Sequence, residues 1–208
     1  MSPTFRRVLW RTIVGIAAAI ALLFVALIVA FGSGYVRNFH IPSEGMAPTL
    51  EKGDRLVAFM DGGTDLRRGD VVLLRVGEST YVQRIAGLPG DTIGMRGGVV
   101  VLNGRPVAQR LLARERRAES SGASLARRLA EQLPGEATPH EILDMGPSQF
   151  DEFPEQRIPA GFVFTLGDNR DRSADGRVPR EEMGVEMLPL GDVQGKPLFC
   201  LKGCDLRR

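Results

Sequence analysis

The sequence predicts a mainly β domain carried behind a single N-terminal transmembrane helix. Three observations predict it. From Ile13 to Phe31 the chain runs nineteen residues without a charge. After that run the sequence turns into short β-type segments broken by Gly, Pro and Asp. Within these, Asn103-Gly104 between two apolar or β-forming stretches is a hairpin signal, because Asn-Gly supplies the positive φ angles of a tight type I′ turn.

As a helix, the uncharged run is about 28 Å long, close to the apolar thickness of a bilayer. Arg6, Arg7 and Arg11 precede it with no acidic residue, a bias that favours a cytoplasmic N-terminus. The same arginines fit the n-region of a secretory signal peptide. The run is longer than an h-region, however, and Gly32-Ser33-Gly34-Tyr35-Val36-Arg37 lacks a convincing small-x-small cleavage site. The expectation is an uncleaved anchor: residues 1–11 cytoplasmic, 12–32 in the membrane and 33–208 an extracytoplasmic, periplasmic domain.

The strands then follow in order. Residues 54–59, 70–76 and 81–86 are runs bounded by turn formers, and 99–102 with 105–107 form the two arms of the Asn-Gly hairpin. Residues 108–132 form a basic insertion in which Arg110, Arg114, Arg116, Arg117, Arg127 and Arg128 are interspersed with Leu111, Leu112, Leu125 and Leu129. This composition has helical propensity, although Ser120-Ser121-Gly122 breaks any continuous helix. Two readings of the insertion remain: a surface arm on anionic lipid headgroups, or a solvated insertion in a loop. A final β stretch, residues 157–166, delivers the chain into Gly167-Asp168-Asn169-Arg170-Asp171, a turn dense in side chains that bond their own backbone.

Composition narrows the function. A net charge of +2 gives no case for nucleic acid, and neither zinc-type Cys/His spacing nor a Gly-rich phosphate loop occurs, so no metal or cofactor is expected. Membrane and polypeptide are the expected partners. Cys200 and Cys204 have a spacing that allows a bridge outside the cytoplasm and equally allows two free thiols.

Four segments, in order, carry a specific resemblance. They are Ile41-Pro42-Ser43-Glu44-Gly45-Met46-Ala47-Pro48-Thr49-Leu50; Arg68-Gly69-Asp70-Val71-Val72; Tyr81-Val82-Gln83-Arg84-Ile85-Ala86-Gly87-Leu88-Pro89-Gly90-Asp91; and Gly167-Asp168-Asn169-Arg170-Asp171-Arg172-Ser173-Ala174-Asp175-Gly176-Arg177. Singly they are short Gly/Pro/Asp strings. In register behind one anchor they resemble type I signal peptidases, membrane-bound serine proteases that remove signal peptides from exported preproteins. The resemblance implies a β domain of antiparallel sheets and preprotein substrates. It also implies a Ser nucleophile directly before Met46 and a Lys base directly before Arg84.

This chain departs from that pattern at both positions. Gly45 has no hydroxyl, and the amide of Gln83 is not basic near neutral pH. The family reaction needs a Ser hydroxyl and a neutral Lys that takes its proton. The only lysines are Lys52, Lys196 and Lys202, none in the base segment; the only imidazoles are His40 and His140, neither at the position where eukaryotic and archaeal relatives place a His base. By resemblance, Ser43 supports the oxyanion, and Ser173, Asp175 and Arg177 support the site. Asp171 with Arg177 equally reads as a structural ion pair.

Three expectations follow. The chain is a non-catalytic relative that binds extended signal-peptide-like segments; or an active peptidase using Ser43; or a membrane-tethered scaffold for an active paralogue. The double substitution favours the first.

Overall fold

The computed structural model describes residues 3–119, 122–201 and 204, with the backbone alone at 118, 119 and 122. Met1–Arg37 and Asn38–Arg208 form two separate compact units. The first is dominated by α1 (Pro3–Gly32), none of whose residues is buried. An 18-residue window of it has a mean hydropathy of 3.1, long and apolar enough to cross a membrane. Pro3 opens the helix, where a missing N–H costs nothing, and Gly34 in the left-handed region (φ 78°) follows its end.

Among the described residues fourteen strands follow: β1 (Val36–His40), β2 (Arg55–Phe59), β3 (Val71–Val76), β4 (Ser79–Gly87), β5 (Thr92–Arg96), β6 (Val99–Leu102), β7 (Arg105–Pro106), β8 (Ala108–Glu119), β9 (Gly122–Gln132), β10 (His140–Asp144), β11 (Phe153–Arg157), β12 (Phe162–Leu166), β13 (Leu188–Pro189) and β14 (Val193–Cys200). They build a seven-stranded sheet, β1-β2-β14-β3-β4-β12-β13, a four-stranded sheet, β11-β5-β6-β7, and a three-stranded sheet, β10-β9-β8. The fold is therefore mainly β and antiparallel behind one apolar helix, as the sequence predicts.

Strand β3 shows why the sequence reads as it does. Val71 and Leu73 enter one core with Leu50 and Leu56, while Val72 and Leu74 enter another with Ile85 and Val193. A strand buried on both faces has no polar alternation to keep, hence the run Val-Val-Leu-Leu. Each such leucine, fully buried, stabilises the fold by about 1.5–3 kcal/mol. A third core, with Ile93, Met95, Val100, Leu102, Phe164 and Leu166, joins the four-stranded sheet to β12. The hairpin forms where Asn-Gly predicts it: Asn103 (φ 53°) and Gly104 (φ 74°) turn β6 into β7, with Leu102 opposite Arg105.

Three expectations are corrected. Despite the helical propensity of the insertion, residues 108–119 and 122–132 are strands. β8 and β9 pair as a long ribbon, with a bulge between Leu111 and Ala113, because ladder pairing outweighs the helical propensity of Arg, Ala and Leu. The stretch at 157–166 is interrupted between β11 and β12, where Pro159 lacks a donor and Gly161 has φ 83°. It is not the last β segment either. β14 lies inside the large sheet between β2 and β3, despite Gly195 and Pro197 in its sequence. Gly195 abuts the Phe59 carbonyl so closely that a Cβ has no room, and the register shifts around Pro197 accommodate its missing N–H. Cys200 and Cys204 form a disulfide with Cα atoms 5.9 Å apart. Asp54 lies beside those sulfurs, but their bond to each other takes them out of metal chemistry.

Candidate active site

A cavity of about 400 Å³ is lined by residues 39–43, Gly45 and Met46, by residues 79–83 of β4, and by residues 172–174. It brings three of the four resemblance segments together. Gly45, Ser43, Gln83 and Ser173 all line it; Asp175 and Arg177 do not, and are buried.

Gly45 leaves a vacancy of definite shape. A Cβ there meets the Arg172 carbonyl at 3.4 Å and Ser173 Oγ at 3.6 Å, ordinary contact distances, so a Cβ fits. Gly167 is the opposite case. A Cβ there collides with Ser173 Cβ and Oγ and with the Gly45 carbonyl, so its hydrogen is what lets the signature turn close on the Gly45 segment. Asn169 N donates to the Gly45 carbonyl at 3.1 Å and fixes the segment from the other side.

Gln83 is 2% exposed and its amide is bonded at both ends. Thr165 Oγ1 donates to Gln83 Oε1 at 2.6 Å, and Gln83 Nε2 donates to the Ala174 carbonyl at 2.9 Å. A buried amide with both ends bonded is satisfied and chemically quiet. Ser43 is exposed on the cavity wall, and His40 lines the same cavity; among the described residues no hydrogen bond joins them.

Behind the cavity stands a buried ionic frame. Asp175 accepts from Gly167 N (3.0 Å) and from Arg177 Nε (2.9 Å) and Nη2 (2.8 Å). Of the two readings of Arg177, the ion pair with Asp171 does not form; the partner is Asp175. Asp175 is two residues away and already inside the turn, while Asp171 Oδ2 accepts from Met145 N at 2.6 Å. Arg177 also bonds the Phe150 carbonyl (3.1 Å) and stacks over the Phe150 ring at 5.3 Å.

Arg84 alternates with Gln83 on β4 and points the other way, with Nε and Nη2 on the two Asp168 oxygens at 2.8 and 2.6 Å and Nη1 on the Gly69 carbonyl at 2.7 Å. Thr49 Oγ1 adds a short bond to Asp168. Burial disfavours the Arg84 charge, but Asp168 outweighs it and keeps the guanidinium firmly protonated.

A second cluster holds the turn to the ribbon. Arg170 binds Glu131 through Nη1 (3.0 Å) and Nη2. His140 Nδ1 lies 2.9 and 3.0 Å from the Glu136 oxygens. Burial works against the Glu131 charge, yet Arg170 and His140 overcome it and hold the carboxyl well below its usual range. Burial also works against a charged His140, and Glu131 with Glu136 more than reverses this, raising its pKa. Thr165, Glu131 and His140 are residues the sequence reading missed. His140, one of only two imidazoles and close to Glu136, carried the sole available signal.

Residues 10–201 match the family described as signal peptidase, peptidase S26. The chain is 32% identical over 202 residues to signal peptidase I of Pseudomonas fluorescens, covering 84% of this chain and 67% of that one. It is 30% identical over 173 residues to signal peptidase I of Bacillus licheniformis, covering 81% and 76%. Among solved structures, a signal peptidase I from Enterococcus faecalis V583 aligns with a TM-score of 0.38 and 21% identity, over 64% of this chain and 97% of that one. Matched by the family over residues 10–201 and by relatives at this identity over more than four fifths of its length, the chain belongs to the signal peptidase family, peptidase S26.

Proposed function

We propose that this chain is a membrane-anchored, non-catalytic signal peptidase relative that binds extended signal-peptide-like segments of preproteins. The observation that carries the reading is the pair Gly45 and Gln83. The nucleophile position has room for a Cβ and carries no hydroxyl, and the base position holds an amide bonded at both ends. Loss of a nucleophile and base that act as a unit costs on the order of a million-fold in rate. Peptide binding rests instead on backbone pairing and shallow pockets, which need neither group.

In this reading Gly45 and Gln83 mark the degenerate nucleophile and base positions. Ser43 polarises a bound carbonyl, and Ser173, Asp175 and Arg177 hold the pocket's shape. Residues 1–11 lie in the cytoplasm, 12–32 cross the membrane, and 33–208 face the outside of the cell's inner membrane.

The test is cleavage of a signal-peptide-bearing preprotein in detergent micelles by the protein as it stands, beside Gly45→Ser/Gln83→Lys. Cleavage by the double variant alone supports the reading. Turnover by the unmodified protein that survives removal of host peptidase overturns it. One observation favours a second reading, catalysis through Ser43, since Ser43 and His40 share the cavity wall. That reading requires Ser43→Ala to abolish such turnover. A partner recovered equally well after the pocket is blocked points to a scaffold for an active paralogue.

A further inference from the structure

The β8–β9 ribbon has two chemically different faces. Its register places Arg117, Glu115, Ala126 and Arg128 on one face and Arg114, Arg116, Leu125 and Arg127 on the other. The first face is occupied. Arg117 binds both Glu51 oxygens at 2.8 and 2.6 Å, Arg128 pairs with Glu115 and Glu141, and Ala126 packs with Ala47 and Leu143.

The second face is open. Arg127 is tied to Asp144 at 2.5 Å, but Arg114 and Arg116 are exposed and have no ion-pair partner among the described residues. Leu125 is 56% exposed beside them, and Leu111 is 47% exposed.

We propose that this face docks on anionic lipid headgroups, with Arg114 and Arg116 on phosphates and Leu125 and Leu111 entering the boundary between headgroups and acyl chains. Guanidinium forks match phosphate oxygens in pairs. A purely solvated arm has no use for large leucines among its arginines, whereas an interfacial surface uses both. The same chain carries a helix apolar enough to span a bilayer, which keeps lipid at high effective concentration. Because the opposite face rests on Glu51 and Ala47, a docked ribbon steadies the segment that contains Gly45.

The test uses the full chain in vesicles with one reporter: Trp10→Phe removes the only tryptophan, and Leu125→Trp places an indole on the proposed face. Quenching by brominated acyl chains is read in phosphatidylcholine vesicles, with and without about one third phosphatidylglycerol. The expected result is quenching only with the anionic lipid, lost near 1 M salt, where the screening length falls to about 3 Å. Adding Arg114→Gln/Arg116→Gln lowers the docked-to-free ratio about thirty-fold, roughly five-fold per arginine removed from an anionic surface. Arg114→Lys/Arg116→Lys retains docking, which separates loss of charge from loss of fold. Equal quenching in both vesicle types, or quenching that survives the Gln pair, overturns the proposal. So does an indole that stays in water in both and is covered only when an acidic protein is added.

Discussion

Replacing Gln83 with lysine tests how dry the cavity wall is. Gln83 is 2% exposed, and its amide contacts are a threonine hydroxyl and a backbone carbonyl, with no carboxylate bonded to it. An ammonium there loses hydration and gains only two neutral oxygens. Full burial lowers a lysine pKa by about 3–5 units from about 10.4, and partial solvation by Thr165 and Ala174 places the expected shift near the lower end, at about 3 units. At about 1.36 kcal/mol per unit the full shift is worth about 4 kcal/mol, and the variant is about 3 kcal/mol less stable at pH 6.5 than at pH 10, relative to the parent. The sign follows from linkage: between the folded and unfolded pKa values the unfolded chain binds more protons, so stability rises with pH. Denaturant titration of Gln83→Lys and parent across that range measures it. A stability difference that stays flat refutes the claim that residue 83 is desolvated, and with it the claim that a lysine there would be a neutral base.

The other predictions concern the frame. His140→Gln removes a histidine whose pKa is raised by Glu131 and Glu136; the loss of stability is full below about pH 6.5 and fades as pH rises through the folded pKa, as thermal melts of both proteins across that range will show. Asp175→Asn leaves the Arg177 guanidinium buried without its charge partner, at a cost of about 3–5 kcal/mol in urea unfolding. Gly45→Ala, at a position with room for a Cβ and no positive φ, leaves stability unchanged or raises it by about 0.5 kcal/mol. Gly167→Ala drives a methyl into Ser173 and the Gly45 carbonyl, and lowers the urea midpoint by the equivalent of about 1–3 kcal/mol.

Where sequence and structure agree, the information is local. The apolar run, the Val-Val-Leu-Leu strand and the Asn-Gly turn each declare themselves within a few residues. The ribbon misled because Arg, Leu and Ala favour a helix in isolation, and only pairing between β8 and β9 overrides that preference. β14 was hidden by Gly195 and Pro197, whose tolerance depends on the Phe59 carbonyl and a register shift that no local reading contains. At the site, Gly45 and Gln83 were legible because each sits beside a recognisable neighbour, Met46 and Arg84. The partners that decide Gln83's chemistry, Thr165 and the Ala174 carbonyl, lie 82 and 91 residues away. Likewise Glu131 and Arg170 meet across 39 residues, a distance over which composition and spacing say nothing.

Strand β4 is a partition wall. On one side Gln83 faces the cavity, and on the other Arg84 is locked into Asp168, Thr49 and the Gly69 carbonyl. The second residue is bound into the frame, while the first meets only a hydroxyl and a backbone carbonyl. A change of side chain at 83 is therefore felt first at the cavity wall, and a charged one brings the cost of leaving water.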